Sequence, residues 1–250
     1  MDGRMAVVTG GASGIGLAAA RALGEAGATV AILDLSEEKA KIAAADLTEA
    51  GLVAFGIGAN VADEKAVDIA FSKIIGNGGP CDILVNCAGL AIRSSAVEVS
   101  VEDWNKVLAV NMTGSFLTSR AAAKQMIEHG EGGAIVQTSS IMGLSGGGLY
   151  PNVSYQSTKG AIVNMTRALA VEWAPHKIRV NAVAPTYVRT PFIAPLLAQP
   201  ELIAKIEGMT PLGKLAEPED VAAAIVYLAS PASAMVTGHT LPVDGGYLAQ

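Results

Sequence analysis

The chain has 250 residues, 51% apolar, 16% charged and only 4% aromatic, and its 17 Lys plus Arg against 23 Asp plus Glu give a formal net charge of −6. This composition excludes a disordered chain, and the mild acidity argues against nucleic acid or an anionic membrane surface as the main partner. No apolar run approaches the roughly 18 to 20 residues that span a bilayer. The opening MDGRMAVVTGG lacks the basic region, apolar stretch and cleavage site of a secretory signal, so a cytoplasmic location is expected. Cys81 and Cys87 stand far from His129, His176 and His239, a spacing that suits neither a zinc site nor a disulfide framework. Two reduced thiols and no metal are expected.

In chain order, strand-length apolar runs fall at 5–9 (MAVVT), 29–34 (TVAILD), 52–57 (LVAFGI), 82–86 (DILVN), 134–139 (AIVQTS), 178–184 (IRVNAVA) and 239–244 (HTLPVD). Segments of helical spacing lie between them at 14–26, 36–50, 63–75, 101–128, 154–174 and 217–229. Strands that are apolar throughout belong to a parallel sheet covered on both faces. The pattern predicts an α/β fold: a single doubly wound Rossmann domain over residues 1–250, with about seven parallel strands and helices on both faces. The glycine-rich 145–149 and proline-containing 185–200 read as loops at the working edge of the sheet.

After the first run comes Thr9-Gly10-Gly11-Ala12-Ser13-Gly14-Ile15-Gly16 and then a helix. A sharp strand-to-helix turn without Cβ atoms lets backbone N–H groups approach a pyrophosphate, and the helix N-terminus adds partial positive charge. A tight turn that needs glycine for packing alone is the competing reading. Asp34, 18 residues after Gly16 at the end of the second run, favours the phosphate cradle because an acidic group there can hold a ribose diol.

The glycines are spaced Gly-x-x-x-Gly-x-Gly, and with Asn86-Cys87-Ala88-Gly89, Asn111, Ser140, Tyr155-x-x-x-Lys159, and Pro185 followed by Thr190, the chain resembles the short-chain dehydrogenase/reductase family in its 250-residue form. The resemblance covers essentially the whole chain. It implies an NAD(P)-dependent oxidoreductase that is usually a homotetramer and needs no metal. It also implies cofactor contacts from Gly10, Ser13, Gly14, Ile15, Gly16, Asp34, Leu35, Asn60, Val61, Asn86, Ala88, Gly89, Tyr155, Lys159, Pro185, Val188 and Thr190, with catalytic roles for Asn111, Ser140, Tyr155 and Lys159. Asn111 is expected to hold a water in a proton relay behind Lys159, and Ser140 to orient the substrate oxygen. Ser139 is its rival.

An unperturbed tyrosine, pKa about 10, is too weak a base to exchange a hydroxyl proton near neutrality. Tyr155 and Lys159, at i and i+4 on a predicted helix, share a face, so the ammonium together with oxidised nicotinamide is expected to lower the tyrosine pKa. Taken alone, such a pair is most often a solvated helix face. Several positions depart from the family pattern: Asn60-Val61 for Asp-Val at the adenine pocket, Cys87 for Asn, Thr186 for Gly, and a Ser140-to-Tyr155 spacing of 15 residues.

The leading expectation is an NAD-preferring dehydrogenase of a secondary alcohol, polyol or sugar, since Ser13 and Leu35 stand where NADPH users carry basic residues. A 3-oxoacyl carrier protein reductase is the alternative within the class, and a nucleotide-sensing regulator on the same fold the alternative outside it. Substrate specificity is expected in 144–153 and 186–208, with Tyr150 and Tyr187 as the candidates for substrate contact and packing within their own loops as the competing reading. Ile162, Met165, Leu169 and Trp173, spaced along the helix at 154–174, suggest a face covered by another subunit.

Overall fold

The computed structural model describes residues 1–250. Successive strands and helices are β1 (Met5–Thr9), α1 (Gly14–Glu25), β2 (Thr29–Asp34), α2 (Glu37–Glu49), β3 (Ala54–Gly58), α3 (Glu64–Gly78), β4 (Ile83–Asn86), α4 (Val101–Leu108), α5 (Gly114–His129), β5 (Gly133–Thr138), α6 (Val153–Trp173), β6 (Ile178–Pro185), α7 (Ala194–Leu197), α8 (Pro200–Gly208), α9 (Pro218–Ala229) and β7 (Thr240–Val243). The strands form one parallel sheet of seven in the order β3-β2-β1-β4-β5-β6-β7. This is the doubly wound α/β architecture expected from the alternating runs. The order reverses between β1 and β4, whose last residues Thr9 and Asn86 are register partners, and a crevice opens beyond their ends.

Side chains alternate between two cores because successive residues of a strand face opposite sides of the sheet. Met5 and Val7, with Ala31 and Leu33, pack against Val67, Phe71 and Ile74 of α3, Leu117 and Met126 of α5, and Leu169 and Trp173 of α6. Ala6 and Val8, with Val30 and Ile32, pack against Ala19 and Leu23 of α1, Ala40 and Leu47 of α2, and Val221 and Ile225 of α9. Each fully buried Leu or Ile contributes about 1.5–3 kcal/mol relative to an exposed one, which explains why the strands carry no polar face. A third cluster, Ile141, Met142, Tyr187, Ile193, Leu196, Ile206 and Leu215, lies off the sheet and unites the two segments expected to set specificity.

Two expected elements differ. The helix expected over 101–128 is divided by a π-helical turn at Ala109–Thr113. That wider turn lets the Asn111 amide bond both the N–H and the carbonyl of Leu90, at 2.7 and 2.9 Å. The loop expected over 185–200 contains a 3-10 turn (Pro191–Ile193) and α7, with α8 beginning at Pro200. Pro191, Pro195 and Pro200 each stand in the first turn of a helical piece, where a missing N–H costs nothing. They start helices here rather than interrupting one. The stripe of α6 is also otherwise employed: Ile162, Leu169 and Trp173 are buried within this chain, so the periodicity reports its own core.

Candidate active site

The reversal of strand order opens into a cavity of about 450 Å³ that runs from the β1–α1 turn to the segment after β6. At its first end Gly10 has φ +62° and packs so closely on the next loop that an added Cβ would lie 2.8 Å from Ala88 N. A Cβ on Gly16 would overlap the Gly10 carbonyl. Thr9, which the sequence reading left without a role, clasps the two loops: its hydroxyl accepts from Cys87 N and Ala88 N, both at 3.2 Å. Side chains of Ser36, Asp63 and Ser100 cap α2, α3 and α4, whereas Ser13 caps nothing and α1 has no acidic residue in its first turn. These features fit a bound pyrophosphate: the cradle has no room for Cβ atoms, and the helix N-terminus is left open for an anion.

Beyond this turn the cavity is lined by Ser13, Asp34, Leu35, Asn60 and Val61. Asp34 is fixed by Ala12 N on one oxygen (3.2 Å) and Ser36 N on the other (3.4 Å), while Leu35 is 75% exposed at the rim. The Asn60 amide oxygen, expected to receive an adenine amine, already accepts from Ala62 N at 3.0 Å. No lysine or arginine lines this end; the lining cations are Arg93 and Lys159 at the other.

There α6 presents Tyr155 and Lys159 on one face, with the Lys159 ammonium 5.4 Å from the centre of the tyrosine ring. Lys159 Nζ donates to the Thr138 carbonyl at 2.6 Å, a partner not foreseen in the sequence, and burial pulls its pKa down to about 8. Burial pushes Tyr155 up to about 12, with the Ser140 hydroxyl and the Arg93 charge pulling the other way. The fall expected for Tyr155 is therefore absent from the protein alone, because in this dry site desolvation of the tyrosinate outweighs those two groups. Ser139 donates to the Lys159 carbonyl at 2.9 Å, which leaves Ser140 as the hydroxyl beside the phenol. The Ser140 hydroxyl also accepts from Met142 N at 3.1 Å, which fixes its position.

The buried lysine has a consequence for stability. The unfolded chain binds the Lys159 proton up to pH 10.5 and the folded chain only up to about 8, so the contribution of this group to stability rises with pH between these values. The full shift corresponds to on the order of 3 kcal/mol. Tyr155, raised from 10.0 to about 12, acts in the opposite sense above pH 10. Burial raises the Cys81 and Cys87 thiols, which act in the opposite sense from about pH 9 upward, so urea unfolding compared between about pH 8 and 9.5 should show the native sequence gaining stability relative to Lys159→Met; parallel profiles would contradict it.

Other expected residues sit differently. Gly10, Gly14, Ile15, Gly16, Ala88, Gly89, Pro185, Val188 and Thr190 all line the cavity, whereas Asn86 and Asn111 do not. Asn86 lies under the floor, bonded to Thr118, Ser119 and Gln137. The Asn111 side chain bonds Leu90 and Thr158 Oγ1 (3.1 Å), so its amide ties loop to helix. Cys87 is a free thiol 3.3 Å from Thr138 Oγ1, and burial raises its pKa to about 11. Past Tyr155 the lining continues with Arg93, Tyr150, Asn152, Thr186 and Tyr187. Arg93 and Asn152 have no counterpart among the expected residues; an isolated cation in a strand-end loop was the available signal for the first.

A crevice that runs from a glycine turn at the reversal of strand order to a Tyr-Lys-Ser group is the arrangement of a nicotinamide oxidoreductase of the Rossmann class. Residues 10–248 match the family model described as enoyl-(acyl carrier protein) reductase. The chain is 42% identical over 247 residues to a galactitol 2-dehydrogenase (L-tagatose-forming) of Cereibacter sphaeroides, covering 99% of this chain and 96% of the relative. It is 40% identical over 247 residues to a D-threitol dehydrogenase of Mycolicibacterium smegmatis, covering 99% and 94%. Among solved structures, a gluconate 5-dehydrogenase from Burkholderia cenocepacia in complex with NADP and tartrate superposes with a TM-score of 0.95 at 34% identity, covering 100% of this chain and 97% of that one. The chain belongs to the short-chain dehydrogenase/reductase family. It is an oxidoreductase acting on CH–OH groups with a nicotinamide cofactor.

Proposed function

We propose that the protein is an NAD-preferring dehydrogenase of a polyol, sugar or related hydroxy compound, working as one dinucleotide-binding and catalytic unit over residues 1–250. The observation that carries this reading is one continuous cavity joining the uncapped α1 turn and Asp34 to Tyr155, Lys159 and Ser140. When bound, the nicotinamide dinucleotide accepts or returns a hydride at the reacting carbon. Residues 10–16 hold its pyrophosphate, Asp34 its adenosine ribose, and Lys159 its nicotinamide ribose. Tyr155 takes the hydroxyl proton in oxidation and returns it in reduction, while Ser140 fixes the reacting oxygen. The stabilisation of the tyrosinate that the protein alone lacks would come from the positive charge of an oxidised nicotinamide. The dehydrogenases of galactitol and threitol named above support the hydroxyl-rich substrate class. A screen of NAD reduction over secondary alcohols, polyols and hydroxy acids, repeated with NADP, tests the reading. Absence of turnover across the panel would overturn it.

The preference for NAD rests on Asp34 and on the missing cation. Charge-assisted hydrogen bonds from the ribose hydroxyls contribute about 1.5–3 kcal/mol each. A 2′-phosphate at about 4 Å would instead be repelled by roughly 4 kcal/mol at an effective dielectric near 20, close to three decades of affinity. NAD is expected to surpass NADP by at least a hundredfold in kcat/KM, and Asp34→Ala to narrow the gap. Equal efficiencies in the native enzyme would remove the assignment.

A cytoplasmic homotetramer is the assembly this reading favours. No helix is long and apolar enough to cross a membrane. The edge strand β7 borders a shallow apolar depression with Met235, 96% exposed, and Tyr227, 43% exposed, a surface suited to a symmetry mate.

A further inference from the structure

Six side chains carry a buried polar atom with no partner: Arg93 Nε, Asn152 Oδ1, Ser154 Oγ, Thr186 Oγ1, Tyr187 Oη and Thr240 Oγ1. Arg93, Asn152, Thr186 and Tyr187 of these line the cavity. Buried polar groups are almost always satisfied in folded proteins, so a concentration of exceptions in one place marks where a ligand supplies the partners.

Arg93 departs furthest from the norm. It takes part in none of the ion pairs of the protein, and its guanidinium lies over the Tyr150 ring at 4.9 Å. Its charge acts on the phenols of both Tyr155 and Tyr187, which places it in the space where a substrate meets the proton carrier. Asn152 stands at the N-cap of α6 yet its side chain makes no capping bond. Its amide is instead part of the cavity wall three residues before Tyr155. Tyr187 is 6% exposed, anchored by its ring in the Ile141–Leu215 cluster with its hydroxyl unbonded.

We propose that Arg93, Asn152 and Tyr187 recognise a hydroxylated carboxylic acid, an aldonate-type substrate whose carboxylate is held by the Arg93 guanidinium and whose hydroxyls meet Asn152 and Tyr187. This rests on the dehydrogenase reading above and narrows it from neutral polyols to their acids. A guanidinium presents a planar fork that matches a carboxylate, and a carboxylate supplies the counter-charge that the protein withholds. An orphan amide oxygen needs a hydroxyl donor, which a polyhydroxy acid carries on the carbons beside its carboxylate. A phosphate monoester, with close to two negative charges, would call for a second free cation at this end, and the one other lining cation, Lys159, is the residue that the dehydrogenase reading assigns to the nicotinamide ribose. The oxidation balances. The carbinol hydrogen leaves with its electron pair to the oxidised nicotinamide, the hydroxyl proton passes to Tyr155 and on to solvent, and a keto acid remains.

The test uses alditol and aldonate pairs of the same chain length and hydroxyl configuration, four to six carbons long, with NAD reduction as the readout. The native enzyme is expected to favour the aldonate by at least tenfold in kcat/KM. Arg93→Gln should lower aldonate efficiency at least thirtyfold, chiefly through KM, with a much smaller loss on the alditol. Arg93→Lys, which keeps charge but not the fork, should fall between and serves if the Gln variant does not fold. Alditols oxidised as efficiently as aldonates by the native enzyme, equal losses on both substrates in Arg93→Gln, or a sugar phosphate preferred to either would overturn the proposal. Absence of NADH and NADPH formation from every compound would instead overturn the dehydrogenase reading beneath it.

Discussion

Tyr155→Phe is expected to lower turnover by about a thousandfold, within the 10² to 10⁴ range of proton-transfer catalysis, while leaving NADH affinity nearly intact. The substitution deletes one oxygen and keeps the ring, so α6 and its contact with Phe192, whose ring centre is 6.1 Å away, persist. The glycine turn and Asp34, which carry most of the proposed cofactor contacts, lie at the far end of the cavity. Fluorescence titration with NADH beside steady-state kinetics separates the two effects. In the native enzyme the oxidation rate should rise toward alkaline pH with an apparent pKa below the value of about 12 that burial imposes on Tyr155 in the protein alone, and the rise should vanish in the Phe variant. Substantial turnover with normal binding would mean that another group moves the proton.

The second large effect is expected at Gly16. An alanine there drives a methyl group into the backbone carbonyl of Gly10, and backbone cannot rotate away as a side chain can. The turn must open, at a cost of about 1–3 kcal/mol in stability. Displacing one or two phosphate-binding N–H groups, each worth about 1.5–3 kcal/mol to an anion, should weaken NADH binding by about tenfold at the least and a hundredfold or more if two are lost. Gly76→Ala is the matched control: a Cβ at this position in α3 meets nothing within 4 Å, so it should leave binding unchanged and stabilise the helix by about 0.5–1 kcal/mol. Equal affinities in the two variants would remove Gly16 from the cradle.

The sheet was readable in the sequence because the strands inside it serve two cores and are apolar at nearly every position, the edge strand β7 alone packing on one. The glycine turn was readable because its chemistry depends on atoms that are missing. What escaped notice has a different origin. Thr9 and Thr138 act through one hydroxyl and one carbonyl at strand ends, and threonine at a strand end is too ordinary to stand out. Asn152 carries no signal because an asparagine at a helix start is ordinary, and nothing in the sequence distinguishes one that caps the helix from one that lines the cavity. The rise of the Tyr155 pKa in the protein alone is not legible in the sequence because helical spacing places Lys159 on the right face but says nothing of how dry the site is. The prolines of 191–200 were taken as interruptions since the same residue that breaks a helix also begins one.

Beneath the cavity, Asn86 accepts from Thr9 and Thr118 and donates to Ser119 and Gln137, while Gln137 Nε2 donates back to Ser119. All of these side chains are buried, so an apolar replacement at any one leaves its neighbours with unmet donors or acceptors in a dry interior. Sequence drift across these positions is thereby blocked one step at a time. Descendants of this chain can inherit the group whole or exchange it whole for apolar residues, but the intermediate genotypes pass through a valley of low stability. The plug under the cofactor crevice should change far more slowly than the loops above it, whatever substrate those loops come to recognise.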